Sequence, residues 1–213
     1  MKKRILSSSL LASMLGATLV CLLSVFSSPA FAQEDEQNAK NLYLARTRNP
    51  KRGRPGVKVT IELKRDGVTK KVPLNHPFLA GDKVKFHFET NFNAYVKVIN
   101  NGSSGALKLL YPYSGATEFV ARTKDYAIPQ GDLWFEFVNK PGTERLTFVF
   151  SSRPLSGGTR RQSLADLNSL ALENSKDLNL TQDTQGSENC SYGVVSAQTA
   201  RKPIGIRINL NHQ

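Results

Sequence analysis

Cysteine, histidine, methionine and tryptophan are all scarce, at 2 Cys, 3 His, 2 Met and 1 Trp in 213 residues. Two cysteines exclude a disulfide-stapled miniprotein and a Cys-rich zinc scaffold, and three scattered histidines leave little material for a metal centre. There is no HExxH, no paired CxxC and no EF-hand loop, so neither a metal nor another cofactor is expected. Acidic residues are outnumbered, 17 against 29 Lys and Arg, for a formal charge of +12. With 39% hydrophobic and 8% aromatic residues the composition is otherwise that of an ordinary globular chain.

Only one long apolar run exists, and it is N-terminal. Met1-Lys2-Lys3-Arg4 is positive, Ile5 to Phe26 is apolar and small, and Pro29-Ala30-Phe31-Ala32 precedes the acidic Gln33-Glu34-Asp35-Glu36. This pattern predicts a signal peptide over 1–32 cleaved after Ala32, hence an exported bacterial protein, periplasmic or secreted, with no membrane span after cleavage. An uncleaved anchor is the first alternative, because the run is about long enough to span a bilayer. Lipidation of Cys21 is the second, although the bulky Val20 stands where a small residue is wanted before it. Cleavage removes Lys2, Lys3 and Arg4 and no acid, lowering the formal charge of +12 by three. It also leaves Cys190 as the one thiol of the mature chain, either a thiol that takes no disulfide or a link between chains.

Residues 33–55 are polar and charged, with only Leu42-Tyr43-Leu44 grouped as apolar, and read as a basic, flexible arm. From Gly56 the texture changes. Val57, Val59, Ile61 and Leu63 alternate with Lys58, Thr60 and Glu62, the period of a strand with one wet face. Asp66-Gly67 then predicts a tight turn and a hairpin with Val68 to Val72. Val84, Phe86 and Phe88 alternate with Lys85, His87 and Glu89, and Ala94 to Ile99 pairs across the Asn101–Gly105 turn with Ala106 to Tyr111. Trp134 to Val138 and Leu146 to Phe150 read as a third hairpin around Lys140-Pro141-Gly142. Ser163-Leu164-Ala165-Asp166 has the form of a capping box opening a short helix to about Ser175, 176–202 reads as a long surface loop, and Ile204, Ile206, Ile208 and Leu210 read as a closing strand. The expected fold is all-β, an antiparallel, immunoglobulin-like β-sandwich of about seven to nine strands over 56–213, with the helix and loop inserted over 156–202.

The order Ile61-Glu62-Leu63-Lys64-Arg65-Asp66-Gly67, Phe78, Gly81-Asp82-Lys83-Val84 to Asn91, Ala94-Tyr95-Val96, Leu109-Leu110-Tyr111-Pro112, Tyr126-Ala127-Ile128-Pro129, Trp134-Phe135 and Gly142-Thr143-Glu144-Arg145 resembles the bacterial family called domain of unknown function 4384. The resemblance spans Gly56 to Leu155, with the closing strand over 203–211 as a further part. It implies an all-β accessory module of exported proteins and brings no catalytic residues with it.

Two groups of residues are candidates for binding. Arg46, Arg48, Lys51, Arg52 and Arg54 fall within positions 46–54, a density that attracts a protein or an anionic envelope polymer in a salt-sensitive way. Within this run Pro50-Lys51-Arg52-Gly53-Arg54-Pro55 is similar to the Arg-Gly-Arg core that lies extended along a DNA minor groove, so nucleic-acid binding is a minor alternative, at odds with export. Tyr111 and Tyr113, two positions apart, are candidates to share a face and stack on sugars or prolines. The expected role is therefore a non-enzymatic binding module. A hydrolase in which Glu62, Asp66, Asp82, Glu89, Glu136 or Glu144 converge in a cleft is the alternative. His76, His87 and His212 read as exposed or hydrogen-bonded histidines rather than as catalytic bases.

Overall fold

A computed structural model describes residues 38–102, 105–113, 117–138, 141–155, 163–176, 178–184 and 189–213. The expected leader, its cleavage site, Cys21 and residues 33–37 lie outside the described residues. No helix among the described residues is long and apolar enough to cross a membrane.

The chain begins with helix α1 (Ala39–Arg48) and enters β1 (Gly56–Arg65), which turns through Asp66 and Gly67, both at positive φ, into β2 (Val68–Val72). Two successive left-handed residues give the turn whose twist matches an antiparallel pair. Then come β3 (Lys83–Thr90), β4 (Ala94–Asn101), β5 (Leu107–Tyr111), the short β6 (Phe119–Val120), β7 (Tyr126–Ile128) and β8 (Phe135–Glu136), and β9 (Gly142–Ser151). Helix α2 (Leu164–Glu173), β10 (Asn179–Asp183), β11 (Cys190–Val194), a single 3-10 turn at Thr199–Arg201 and β12 (Ile204–His212) complete it.

These strands form two antiparallel layers. The first has the order β10-β11-β1-β3-β7, with β2 also on β1 and β8 also on β3; the second has the order β12-β9-β4-β5, with β6 on β4. β1 is shared lengthwise: its first half, Gly56 to Thr60, pairs with β11, and its second half, Ile61 to Arg65, pairs with β2. The other edge of β1 pairs with β3 from Val57↔Thr90 to Lys64↔Lys83. Between the layers lie the alternate residues expected from the sequence. Val57, Val59, Ile61 and Leu63 of β1 are at most 2% exposed, and Ile204, Ile206, Ile208 and Leu210 of β12 at most 3%. Phe88 meets Phe148 at 6.0 Å between ring centroids, joining the two layers. Each such buried side chain contributes about 1.5–3 kcal/mol, so the inward phase of β1 and β12 suffices to fix the register of both strands.

The all-β sandwich expectation holds, and so do the first two hairpins, the capped helix and the closing strand. Ser163 accepts from the Asp166 N–H while the Asp166 carboxylate accepts from the Ser163 N–H, and the capped helix packs Leu167 and Ala171 on the outer side of the second layer. Four expectations are corrected. There are twelve strands among the described residues rather than seven to nine, three of them only two or three residues long. Trp134 to Val138 does not pair with Leu146 to Phe150: β8 joins β3 in the first layer, while β9 lies between β4 and β12 in the second. The backbone around β8 is instead stitched to the approach to β3, with Phe137 N–H donating to Asp82 O and Gly81 N–H to Phe137 O. The stretch 176–202 is not a surface loop, since β10 and β11 extend the first layer from within it and all five residues of β11 are buried. Finally, the arm over 33–55 is not loose where it is described, because α1 packs Ala39 and Tyr43 against Cys190, Tyr192 and Val194 on the outer side of β11. Cys190 is thus 1% exposed beneath a helix, which does not fit a link between chains.

Candidate functional site

The basic residues singled out in the sequence are carried by α1 and the turn that follows it. Asn38 caps the helix by accepting from the Lys40 N–H, and Arg46 and Arg48 occupy the last turn, where positive charge complements the helix dipole. Pro50 ends the helix, and the chain folds back on it: Arg52 N–H donates to Asn49 O at 2.9 Å and Arg54 N–H to Leu42 O at 3.2 Å. Gly53 makes this return possible. Its φ is +67°, and a Cβ there would lie 2.1 Å from the Leu42 carbonyl oxygen. The Arg-Gly-Arg core is therefore bent onto its own helix, contrary to the extended form that minor-groove binding requires.

Arg122, in the loop after β6, completes the group. Its Nη2 donates to Thr47 O at 2.7 Å and to Arg46 O at 3.4 Å, capping the carbonyl end of α1. Burial, and then the neighbouring Arg122, hold the Arg46 guanidinium below its ordinary pKa. Arg48, Lys51, Arg52 and Arg54 are exposed. None of these six residues forms an ion pair among the described residues. The result is a fixed patch of like charge, since long cationic side chains with no local counter-ion raise the potential of the surface they share.

Asn91, only 1% exposed, ties this unit to the sandwich. Its Oδ1 accepts from Gly56 N–H at 2.9 Å, and its Nδ2 donates to Tyr43 O and to Arg54 O, both at 2.9 Å. Removing the amide strands a buried donor and two carbonyls. Asn91→Ala is expected to cost about 2 kcal/mol and to lower Tm by roughly 4–8 °C, with faster tryptic cleavage between Arg46 and Arg54. Asn91→Asp, which keeps the acceptor for Gly56 but sets a buried carboxylate oxygen against the Tyr43 and Arg54 carbonyls, is expected to cost at least as much at pH 7, as followed by thermal melting and timed digestion. An alanine variant that melts and digests like the parent would show that the amide does not hold the helix.

Beside the patch, the outer side of the first layer carries a polar groove of about 360 Å³ lined by residues such as Thr60, Glu62, His87, Glu89 and Asp125. His87 sits between two carboxylates, with Nδ1 2.7 Å from Asp125 Oδ2 and Nε2 3.2 Å from Glu62 Oε2. Tyr43 of α1 donates its hydroxyl to Glu89 Oε1 at 3.0 Å, and burial, then Glu89, push that phenol far above its usual range. The hydrogen bond to Asp125 raises the His87 pKa despite partial burial. A raised folded pKa gives stability that is fully present below the unfolded value near 6.5 and is lost as pH rises through the folded value. His87→Gln is therefore expected to be less stable than the parent at pH 5.5 and equal to it at pH 9, as measured by urea midpoints. Equal midpoints at pH 5.5 would show that the ion pairs contribute nothing.

The two tyrosines belong elsewhere. Tyr111 is 2% exposed and packs in the core against Phe88 (5.3 Å), Tyr113 (5.7 Å) and Tyr126 (6.3 Å). Its hydroxyl donates to Thr117 O, and its pKa is pushed up to about 12 by burial and then by Tyr126 and Tyr113. Tyr113 is half-buried against the same core. The stacking role is thus withdrawn for Tyr111, and the pair offers no shared open face. Of the acidic candidates, Glu62 and Glu89 line the His87 groove, Asp82 is buried against Arg65, Glu136 pairs with Lys83 at 3.5 Å, and Glu144 accepts from Asn100. Among the described residues no group of three or more His, Cys, Asp or Glu is placed to hold a metal ion.

A two-layer antiparallel β-sandwich that carries a helix-borne basic patch on one outer side is the class of protein these observations define. Over residues 78–154 the chain matches the family model described as Domain of unknown function (DUF4384), and this segment belongs to that family. The match begins at Phe78, so β1 and β2, which contributed to the resemblance in the sequence, lie ahead of it, and the closing strand lies beyond it. No curated protein and no solved structure matches the chain.

Proposed function

We propose that this protein is an exported, non-enzymatic binding module whose basic patch on α1, the turn after it and Arg122 holds an anionic partner of the cell envelope. The observation that carries this reading is the gathering of five Arg and Lys side chains on a helix and turn fixed to the sandwich by Asn91, with Arg122 against the end of that helix and no ion-paired carboxylate among the described residues. A flexible tail would lose conformational entropy on binding, whereas a folded platform has already lost it. Recognition of this kind is electrostatic, so it weakens as salt screens the charges beyond about 8–10 Å. The test is retention of the purified protein on envelope fractions at low and high salt. Salt-reversible retention that is lost when the patch is neutralised supports the reading, and retention indifferent to both would sink it.

A further inference from the structure

His87 engages one oxygen of each carboxylate beside it, Asp125 Oδ2 and Glu62 Oε2. The other two oxygens, Asp125 Oδ1 and Glu62 Oε1, take no hydrogen bond among the described residues, and the side chains that bear them are 58% and 28% exposed. Glu89 repeats the arrangement, since Oε1 accepts from the Tyr43 hydroxyl while Oε2 takes no hydrogen bond among the described residues. All three acids line the polar groove of about 360 Å³ on the outer side of the first layer. The protein thus holds each carboxylate by one oxygen and leaves the other for a donor from outside.

The one tryptophan of the chain lies on the same outer side. Lys64 and Lys85 alternate with the inward Leu63, Val84 and Phe86, and their Nζ atoms stand 5.9 and 4.8 Å from the centre of the half-buried Trp134 ring. Lys85 is opposite Glu62 in the register of β1 and β3, and it stands two residues, about 7 Å, along β3 from His87. The indole therefore sits at the end of the groove, a short step from its carboxylates.

Acceptors already held in place suit a ligand rich in donors. That ligand is not a cation: when His87 is protonated, it and Lys58 and Lys71 match the three acids of the groove in formal charge, and two more lysines flank the tryptophan. Hydroxyl groups are neutral donors, and a pyranose ring carries them along its edge while its C–H face stacks on an aromatic plane. The groove is also of the size at which small-molecule sites begin, about 300 Å³. The geometry points to a binding site for a neutral oligosaccharide, one ring against Trp134 and the hydroxyls of the next donating to Glu62 and Asp125. This site is separate from the basic patch and does not depend on it.

Because the chain has a single tryptophan, its fluorescence reports on this site. Cellotetraose and tetra-N-acetylchitotetraose, both neutral and β-linked, are the probes. At least one is expected to change the Trp134 emission saturably, with the same Kd at low salt and at about 1 M NaCl, where charges are screened within roughly 3 Å. By calorimetry, Trp134→Ala is expected to weaken that binding about 10-fold, and Asp125→Ala, at an exposed position, about 5- to 10-fold. If Trp134→Ala fails to fold, Trp134→Phe is to keep part of the affinity. No saturable response to either sugar, calorimetric binding without a change in emission, loss of binding at high salt, or full affinity in Asp125→Ala or in the Trp134 variant would each overturn the assignment.

Discussion

Replacing Arg48, Arg52 and Arg54 together by serine is expected to weaken binding to an anionic envelope surface roughly 100-fold at low salt, since each Lys or Arg near such a surface is worth about 1 kcal/mol. All three are exposed and form no ion pair among the described residues, so their removal leaves no buried partner there. Arg46 and Arg122 are left in place because one is half-buried and the other caps the helix, and changing either would test the fold instead of the charge. A matched variant is needed, because a net positive formal charge, +12 for the whole sequence and three less without Lys2, Lys3 and Arg4, attracts anions wherever bases are exposed. Lys176, Arg201 and Lys202 are also exposed, and replacing those three by serine removes the same charge from another part of the surface. The expected result is a small change for this second triple and a large one for the first, read as the salt needed for elution and as bound fraction. Equal losses would mean that net charge alone drives retention, and the patch would have no special role.

The second large effect concerns stability. Arg65, at the end of β1, clasps Asp82 through two bonds, Nε to Oδ1 and Nη2 to Oδ2, each 2.6 Å, and Asp82 Oδ2 also accepts from Leu79 N–H at 2.8 Å. The two side chains differ sharply in exposure, 33% for Arg65 and 2% for Asp82. Removing the guanidinium therefore strands a buried carboxylate, while removing the carboxylate's charge leaves an arginine that can turn to water. Arg65→Met is expected to cost about 3 kcal/mol at pH 7, and Asp82→Asn about half of that. The Arg65 hydrogen bonds hold the Asp82 carboxyl below its ordinary pKa against the opposing effect of burial. A depressed folded pKa means stability present above the unfolded value near 4 and lost as pH falls through the folded one. The gap between parent and Arg65→Met, measured by urea unfolding, is thus expected to close at low pH as Asp82 protonates. A gap that persists unchanged at pH 3, or an Asp82→Asn cost larger than that of Arg65→Met at pH 7, would refute this account of the pair.

How much of this was legible in the sequence depends on what covers each strand. β1, β3 and β12 alternate because one side of each faces the opposite layer and the other faces water or polar groups, so the period survives in the sequence. β11 has no such wet side. Its Cys190, Tyr192 and Val194 lie under α1, while Gly193 faces Ile206 so closely that a Cβ would come within 2.5 Å of it. A strand buried on both faces, one of them lined by small residues, carries no alternation to read. Helix α1 was hidden for a related reason. It has few apolar residues and owes its place to Tyr43, Asn91 and the Arg122 cap, none of which is a local signal. The basic run itself was plain, but Arg122 stands 75 positions from Thr47, whose carbonyl it binds, and a lone arginine in a turn announces nothing. Tyr111 shows the converse, because an aromatic residue at a strand end has the same letter whether it faces a ligand or the core.

The lengthwise sharing of β1 bears on what kind of object this family segment is. The recognised stretch opens at Phe78, after both halves of that strand have been laid down, and ends at Pro154, before β10, β11 and β12 are made. Lifted out alone it would have β3 bereft of its central neighbour and β9 of its outer one, two bare backbones inviting adhesion to whatever chain passed by. What sequence comparison identifies as a motif is here an interior portion of the body, and the flanking chain on both sides is needed to seal it.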